Sequence, residues 1–190
     1  MFQFENDIQS CLNQLMEGGL ILYPTDTVWG IGCDATNPLA VQRIFELKKR
    51  VDSKAMIVLV ENETAILNYV NNPELQIFDY IKGIHKPTTV IYQNAKNLAP
   101  NLLAADGTVA IRICKDKFCQ TLLKQFGKPI VSTSANISSF PTPLCFRDIS
   151  LDIIEGVNYV VQYRQEENEI QQPSSIVKWE IDGTLTIIRH

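Results

Sequence analysis

Short apolar runs alternate with amphipathic segments along the chain, and this alternation predicts an α/β fold. Ile8–Gly18 has helical periodicity and ends at a pair of glycines. Asn37 and Pro38 have the residue types of an N-cap and a first helical position, which predicts a helix reaching about Lys48. The predicted strands up to residue 132 are Leu20–Tyr23, Ala55–Val60, Thr88–Tyr92, Thr108–Ile113 and Pro129–Ser132.

The C-terminal region has the pattern of a β-hairpin. Ser175–Trp179 and Thr184–Ile188 are strand-like and flank Asp182-Gly183, a dipeptide typical of tight hairpin turns. Upstream of the hairpin, Gln162–Gln172 is rich in glutamine, glutamate and asparagine, so we expect a mobile loop there.

Composition limits the class of protein. A chain of 190 residues with 45% hydrophobic residues is long enough for one core, so we expect a single domain over residues 1–190. The net charge of −4 argues against a large basic surface for nonspecific RNA binding. The sequence shows no signal peptide and no apolar run of membrane-spanning length, which predicts a cytoplasmic protein without a membrane contact.

The five cysteines lack the spacing of a zinc site or a redox motif. We expect buried, reduced thiols rather than metal ligands. The chain also lacks a P-loop, a complete dinucleotide-binding glycine motif and the motifs of serine proteases and zincins.

Two polar segments follow strand-like runs and are the main candidates for a binding site. Tyr23–Gly32 reads YPTDTVWGIG, and Lys128–Asn136 reads KPIVSTSAN. Small hydroxyl, amide and glycine residues at strand ends expose backbone N–H groups, which open α/β folds use to bind ligands. Each segment alone is equally typical of turns and helix caps.

Positive charge accompanies these segments at Lys48-Lys49-Arg50. Helical phase places Lys48 beside the apolar residues Ile44 and Phe45, so its side chain is predicted to point inward while Lys49 points away. An inward lysine suits a phosphate ligand, although cations that complement a helix C-terminus are the common alternative.

The strand Thr108–Ile113 places Arg112 on the same face as the small residue Ala110. Small residues beside an arginine fit the wall of a binding pocket. A solvated edge strand explains this segment equally well.

The order and spacing of these segments resemble the YrdC family of L-threonylcarbamoyladenylate synthases, which start the N6-threonylcarbamoyladenosine modification of tRNA. The resemblance rests on YPTDTVWGIG, the Lys48-x-Arg50 motif, the strand containing Arg112, and Ser132–Asn136. It implies a twisted mixed α/β sheet with flanking helices and a concave cavity. It also implies synthesis of threonylcarbamoyl-AMP and pyrophosphate from L-threonine, bicarbonate or CO2, and ATP, generally with Mg2+.

The resemblance also implies roles for individual residues. Catalysis would depend on Lys48 and Arg50. The residues implied to bind ATP are Lys48, Arg50, Lys54, Thr108, Ser134, Asn136 and Arg189. The residues implied to bind threonine are Thr27, Arg112, Ser132, and Ser174 or Ser175.

The family resemblance leaves alternative functions open. A YciO-like paralogue would bind nucleotide without efficient synthesis, and an RNA-binding module would use the concave face for tRNA or double-stranded RNA. The intact Ser132–Asn136 segment argues against the paralogue, and the acidic balance argues against the RNA-binding module. Proteins that transfer the threonylcarbamoyl group to tRNA are the implied downstream partners.

Overall fold

A computed structural model describes residues 4–49, 56–167, 169, 171–180 and 184–190. The helices in this part of the chain are α1 (Glu5–Met16), α2 (Pro38–Leu47), α3 (Glu63–Ile66), α4 (Gln76–Lys82), α5 (Lys117–Phe126) and α6 (Leu151–Gly156), with short 3-10 turns at Pro100–Leu102 and Phe146–Asp148. The strands are β1 (Ile21–Tyr23), β2 (Gly30–Gly32), β3 (Ile57–Val60), β4 (Thr88–Tyr92), β5 (Val109–Ile113), β6 (Ile130–Ser134), β7 (Tyr159–Val160), β8 (Ser175–Trp179) and β9 (Leu185–Arg189).

The strands form one nine-stranded sheet in the order β7-β1-β2-β6-β3-β5-β4-β8-β9. Three pairs are parallel, β1 with β7, β3 with β5, and β4 with β8, and the remaining pairs are antiparallel. All residues of β1, and all but the last residue of β5, are buried, as expected for strands covered on both faces. The predicted mixed α/β fold is confirmed.

The two helices predicted near the N-terminus are present. The first begins at Glu5 rather than Ile8, and the chain leaves it through Gly18, whose φ of 73° is in the left-handed region that glycine tolerates. In the second, the Asn37 side chain accepts hydrogen bonds from the backbone N–H groups of Leu39 and Ala40. The predicted N-cap is therefore confirmed, with proline at the first helical position.

The predicted strands are also present, with one correction that matters for the site. β6 continues to Ser134, two residues beyond the predicted end at Ser132, so Ser134 lies within the strand and not after it. The C-terminal hairpin pairs β8 with β9 as predicted, whereas the predicted turn at Asp182-Gly183 and the residue Ala55 lie outside the described residues.

The strand β2 was not predicted, because Gly30 and Gly32 have low strand propensity. Close packing explains the choice of glycine. A Cβ atom on Gly32 would lie 2.6 Å from Cε1 of Tyr23 and 2.7 Å from the carbonyl oxygen of Val131. Glycine thus allows two neighbouring strands and a buried tyrosine ring to approach the same backbone.

The predicted loop Gln162–Gln172 has no regular element among its described residues, and its start is anchored. Asp7 is buried, and its carboxylate accepts hydrogen bonds from the Tyr159 hydroxyl and from the N–H groups of Gln162 and Tyr163. Burial and the Asp7 contact together raise the pKa of Tyr159 to about 12. Mobility of the rest of the loop stays a prediction.

Buried residues from α1, α2, α5 and the sheet form one hydrophobic core. All five cysteines are described and none forms a disulfide; four are buried, and burial raises the pKa of Cys11, Cys33 and Cys119. These thiols are protonated core residues at neutral pH. Within the described ranges, no helix is both long enough and apolar enough to cross a membrane.

We expect Gly32→Ala to lower the free energy of unfolding by about 1–3 kcal/mol, because the added methyl group has no room between Tyr23 and Val131. Gly83→Ala is the matched control. The nearest atom to its new methyl group would be 3.6 Å away, so a change within about 0.5 kcal/mol is expected. Urea unfolding measures both values, and equal stability of the two variants would contradict the packing argument.

Candidate functional site

The two polar segments identified in the sequence meet through the antiparallel pairing of β2 with β6. Gly30 is paired with Ser134, and Ile31 with Thr133. A cavity of about 190 Å³ opens beside this pair. Its lining residues are Thr27, Val28, Gly30, Met56, Ile57, Arg112, Ser132, Thr133, Ser134, Thr142, Pro173, Ser174, Ile176 and Arg189.

One wall of the cavity is a hydrogen-bonded group around Arg112. Nη1 of Arg112 donates to the Thr27 hydroxyl at 2.8 Å and lies 3.3 Å from the Asp26 carboxylate. The Thr27 hydroxyl lies 2.9 Å from that of Thr25. Arg112 is 2% exposed, and its Nε has no hydrogen-bond partner among the described residues. The guanidinium is thus fixed at one end and incompletely satisfied at the other.

The opposite wall comes from the C-terminal hairpin and the segment before it. Arg189 donates from Nε and Nη2 to the carbonyl oxygen of Ser174, at 3.0 and 2.8 Å. The Ser174 hydroxyl is 2.8 Å from that of Thr89, and both residues are buried. These contacts fix Arg189 against the rim of the cavity.

The cavity is electropositive. Burial, and then the positive charge of Arg112, lower the pKa of Arg189. Asp26, whose carboxylate pairs with Arg112, does not line the cavity, and the described lining residues contain no carboxylate. Two neighbouring guanidinium groups in a cavity whose described lining has no carboxylate favour the binding of an anion.

Lys48 points inward as predicted but contacts the protein backbone. Its Nζ donates to the carbonyl oxygens of Ser134 and Asn136, at 2.5 and 2.6 Å. The Lys48 carbonyl accepts from the N–H of Ser138. The side chain is 2% exposed, whereas Lys49 is exposed. Lys48 therefore holds the end of β6 and the following turn against the end of α2.

Asn136 does not line this cavity but a larger neighbouring groove of about 640 Å³. Its amide donates to the carbonyl oxygens of Ile137 and Phe140. Proline and aliphatic residues form much of the groove, and Phe140 is largely exposed there. Thr142 lines both spaces, so the groove adjoins the electropositive cavity.

The structure thus brings together Thr27, Arg112, Ser132, Ser134, Ser174 and Arg189 of the predicted set. It leaves four others outside the cavity lining, namely Lys48, Asn136, Thr108 and Ser175. Thr108 bonds to Asp106 in the turn before β5, and Ser175 pairs with Thr88 in the sheet. Of the two serines that the sequence left open, Ser174 is therefore the one that lines the cavity. Arg50 and Lys54 lie outside the described residues.

Sequence reasoning missed several lining residues. Met56, Ile57 and Ile176 look like ordinary strand residues in the sequence, and Thr142 carries no signal beyond its flanking prolines. Asp26 could have been recognised as a partner for Arg112, because a buried arginine requires a compensating acceptor.

No group of three or more histidine, cysteine, aspartate or glutamate side chains is placed to bind a metal ion in the part of the chain that the structure describes. The described lining of the cavity combines two arginines and several hydroxyl groups with apolar side chains such as Met56, Ile57 and Ile176.

The fold and the cavity define an α/β protein with an electropositive cavity beside its central strands. The chain belongs to the Sua5, YciO and YrdC family, whose profile, described as "Telomere recombination", matches residues 13–190.

Named relatives from bacteria support this membership. The chain is 32% identical over 175 residues to "Threonylcarbamoyl-AMP synthase" of Pseudoalteromonas translucida (strain TAC 125), covering 90% of this chain and 92% of the relative. It is 34% identical over 163 residues to the protein of the same name from Photobacterium profundum, covering 83% of this chain and 86% of the relative.

Solved structures share the fold. Sua5 of P. abyssi complexed with L-threonine superposes with a TM-score of 0.85 at 22% identity, covering 97% of this chain and 54% of Sua5. YciO of E. coli superposes with a TM-score of 0.83 at 20% identity, covering 97% of this chain and 89% of YciO. The chain thus spans about half the length of Sua5.

We expect Lys48→Ala to lower the free energy of unfolding by about 1–3 kcal/mol, because the carbonyl groups of Ser134 and Asn136 lose a charged donor. Lys49→Ala removes an exposed charge and should stay within about 0.5 kcal/mol of the wild type. Chemical unfolding of the ligand-free protein checks both. An unchanged or higher stability of Lys48→Ala would show that burying the lysine costs at least as much free energy as its contacts contribute.

Proposed function

We propose that the protein is a threonylcarbamoyl-AMP synthase. It would combine L-threonine, bicarbonate or CO2, and ATP into threonylcarbamoyl-AMP and pyrophosphate, for the N6-threonylcarbamoyladenosine modification of tRNA. The observation that carries the proposal is the electropositive cavity in which Arg112, bonded to Thr27, faces the β2–β6 pair. The names of the relatives, which match over most of both chains, support it.

The threonine would occupy the wall formed by Thr27, Arg112 and Ser132. Arg112 would pair with the substrate carboxylate, as its fixed guanidinium suits a planar bidentate anion. Ser132 supplies a hydroxyl from β6, which β3 separates from the strand that carries Arg112. The 190 Å³ space is small beside the roughly 300–1,000 Å³ of sites for drug-sized ligands, which fits an amino acid better than a whole nucleotide.

ATP would extend from the cavity into the neighbouring groove. Ser134 and Arg189 line the cavity and would contact phosphate oxygens. Arg50 and Lys54 are proposed as further phosphate ligands. The apolar groove next to Asn136 would accept the base. Thr142, which lines both spaces, marks the junction.

The chemistry needs no nucleophile from the protein. The neutral threonine amine adds to CO2 and loses one proton to solvent. An oxygen of the resulting carbamate forms a bond to the α-phosphorus, and the bond from that phosphorus to the leaving pyrophosphate breaks. The protein must orient two anionic reactants and neutralise the charge that develops on the phosphates. Arg189 would do so from the cavity, and Lys48 would act from behind Ser134. Arg50 is proposed to contribute a further positive charge to catalysis. Limited access to water would protect the product from hydrolysis.

Mg2+ would enter with the nucleotide. The described residues offer no carboxylate cage, and Mg2+ commonly keeps water ligands and binds substrate phosphates. The ion would lower the charge on the leaving pyrophosphate. We therefore expect chelation to abolish activity, and added Mg2+ to restore it, without a change in the melting temperature of the ligand-free protein. A melting temperature that falls on chelation would instead indicate a structural metal.

We also propose that residues 1–190 form one domain of the YrdC type, in line with the profile match over residues 13–190. Because the product is used to modify tRNA, we propose that the protein acts in the cytoplasm and contacts tRNA transiently. Its downstream partners would be the proteins that transfer the threonylcarbamoyl group from the adenylate to tRNA.

Threonine-dependent release of pyrophosphate from ATP tests the proposal. We expect Lys48→Ala to lower turnover by about 10²-fold, because it removes both a preorganised charge and the support of Ser134. Lys49→Ala should keep near-wild-type activity. Release that does not depend on threonine in the wild-type protein would refute the assignment and point to a nucleotide-binding paralogue.

Arg112→Gln should raise the KM for threonine by at least about tenfold and change the KM for ATP much less, since it removes the proposed carboxylate ligand. Initial rates at varied threonine and fixed saturating ATP measure the effect. If the KM for ATP rises instead, Arg112 binds phosphate. The threonine and the phosphates of ATP would then occupy each other's proposed positions in the cavity.

A further inference from the structure

The hydroxyl groups of Thr25 and Thr27 form a chain whose hydrogen positions can be deduced. The Thr25 hydroxyl lies 2.9 Å from the carbonyl oxygen of Val28. A carbonyl oxygen can only accept a hydrogen bond, so the Thr25 hydroxyl donates its one hydrogen to the carbonyl oxygen of Val28. Thr25 Oγ1 also accepts from the N–H of Thr27 at 3.0 Å.

This arrangement determines the orientation of the Thr27 hydroxyl. The two hydroxyl oxygens are 2.9 Å apart, and the hydrogen between them must belong to Thr27 because that of Thr25 is already used. Thr27 Oγ1 in turn accepts from Nη1 of Arg112. Its hydrogen therefore points into the protein, and one lone pair remains for a ligand.

Thr27 lines the cavity and is therefore a hydrogen-bond acceptor there, not a donor. Thr25 is 2% exposed and does not line the cavity, so it acts on a ligand only through Thr27. The acceptor lies 2.8 Å from the guanidinium nitrogen of Arg112. A carboxylate on Arg112 with an N–H group next to it would satisfy both groups.

We propose that Thr25 is a positioning residue that fixes Thr27 as an acceptor, so that Thr27 and Arg112 together select carboxylates bearing an adjacent N–H donor. An α-amino acid has this pair of groups on one carbon. The inference rests on the proposed function and deepens it. A carbamate formed from the amine keeps an N–H, so the same contact would orient the substrate before and after CO2 is added.

The test compares L-threonine with 3-hydroxybutanoate, which has the same carbon chain, carboxylate and hydroxyl group but no amine. Calorimetry gives the ratio of their dissociation constants for each variant. We expect the wild type to favour L-threonine by about tenfold or more, and Thr25→Val to lower this ratio about tenfold, mainly by weakening threonine. Thr25→Ser keeps the hydroxyl and should restore the wild-type ratio.

Two further variants keep the test decisive. Thr121→Val removes a hydroxyl that, like that of Thr25, bonds to a backbone carbonyl, but Thr121 does not line the cavity, so the ratio should stay unchanged. Thr27→Val removes the acceptor itself and should lower the ratio even if Thr25→Val does not fold.

The outcomes separate the two proposals. A wild-type protein that binds neither ligand would overturn the proposed function. A wild type that binds threonine, combined with Thr25→Val or Thr27→Val variants that weaken both ligands equally, would overturn the role of Thr25 and leave the function standing. A ratio that falls in Thr25→Ser as well would show that packing of the threonine methyl group matters, which also contradicts the inference.

Discussion

The site depends on the antiparallel contact between Gly30 in β2 and Ser134 in β6. This pair joins two segments that lie far apart in the sequence and sets the distance between their hydroxyl groups. A Cβ atom on Gly30 would lie 3.0 Å from Oγ of Ser132, so a larger residue would displace a side chain of the cavity wall. Glycine at this position therefore serves the cavity as much as the sheet.

Lys48 reinforces the same contact from the other side. Its ammonium group gathers the carbonyl oxygens of Ser134 and Asn136, which follow one another around the end of β6. Buried charge is costly unless paired, and here the paired carbonyl groups belong to the segment that carries the site. The burial of the Lys48 charge is therefore compensated only when the segment from Ser134 to Asn136 has the conformation that directs its carbonyl groups at the ammonium group. A residue that sequence reasoning treats as a phosphate ligand is, in the ligand-free protein, also a structural clamp.

The parts of the fold and of the site that can be predicted from the sequence are those determined by interactions between residues close together in the chain. Asn37 and Pro38 supply a cap and a first helical residue by their own chemistry, so the start of α2 was predictable. The strand Gly30–Gly32 depends on neighbours distant in the sequence, which no local pattern reveals. Thr108 shares the alternation of Arg112 but belongs to a turn, because its hydroxyl already has an aspartate partner. The alternation of side chains along a strand predicts on which face of the sheet a residue lies. Its position along that face depends on the register between neighbouring strands, which the alternation does not reveal.

The hydroxyl groups show how fold and specificity are connected. Thr25 is buried, and its bonds to Val28 and Thr27 look like those of an ordinary turn. The same bonds leave the cavity side of Thr27 with a lone pair and no hydrogen. A turn that any sequence analysis would assign to structure alone thus determines which kind of group a ligand must present. Selectivity in such a cavity depends on which lining groups already donate their hydrogens within the protein, as well as on which residues line the cavity.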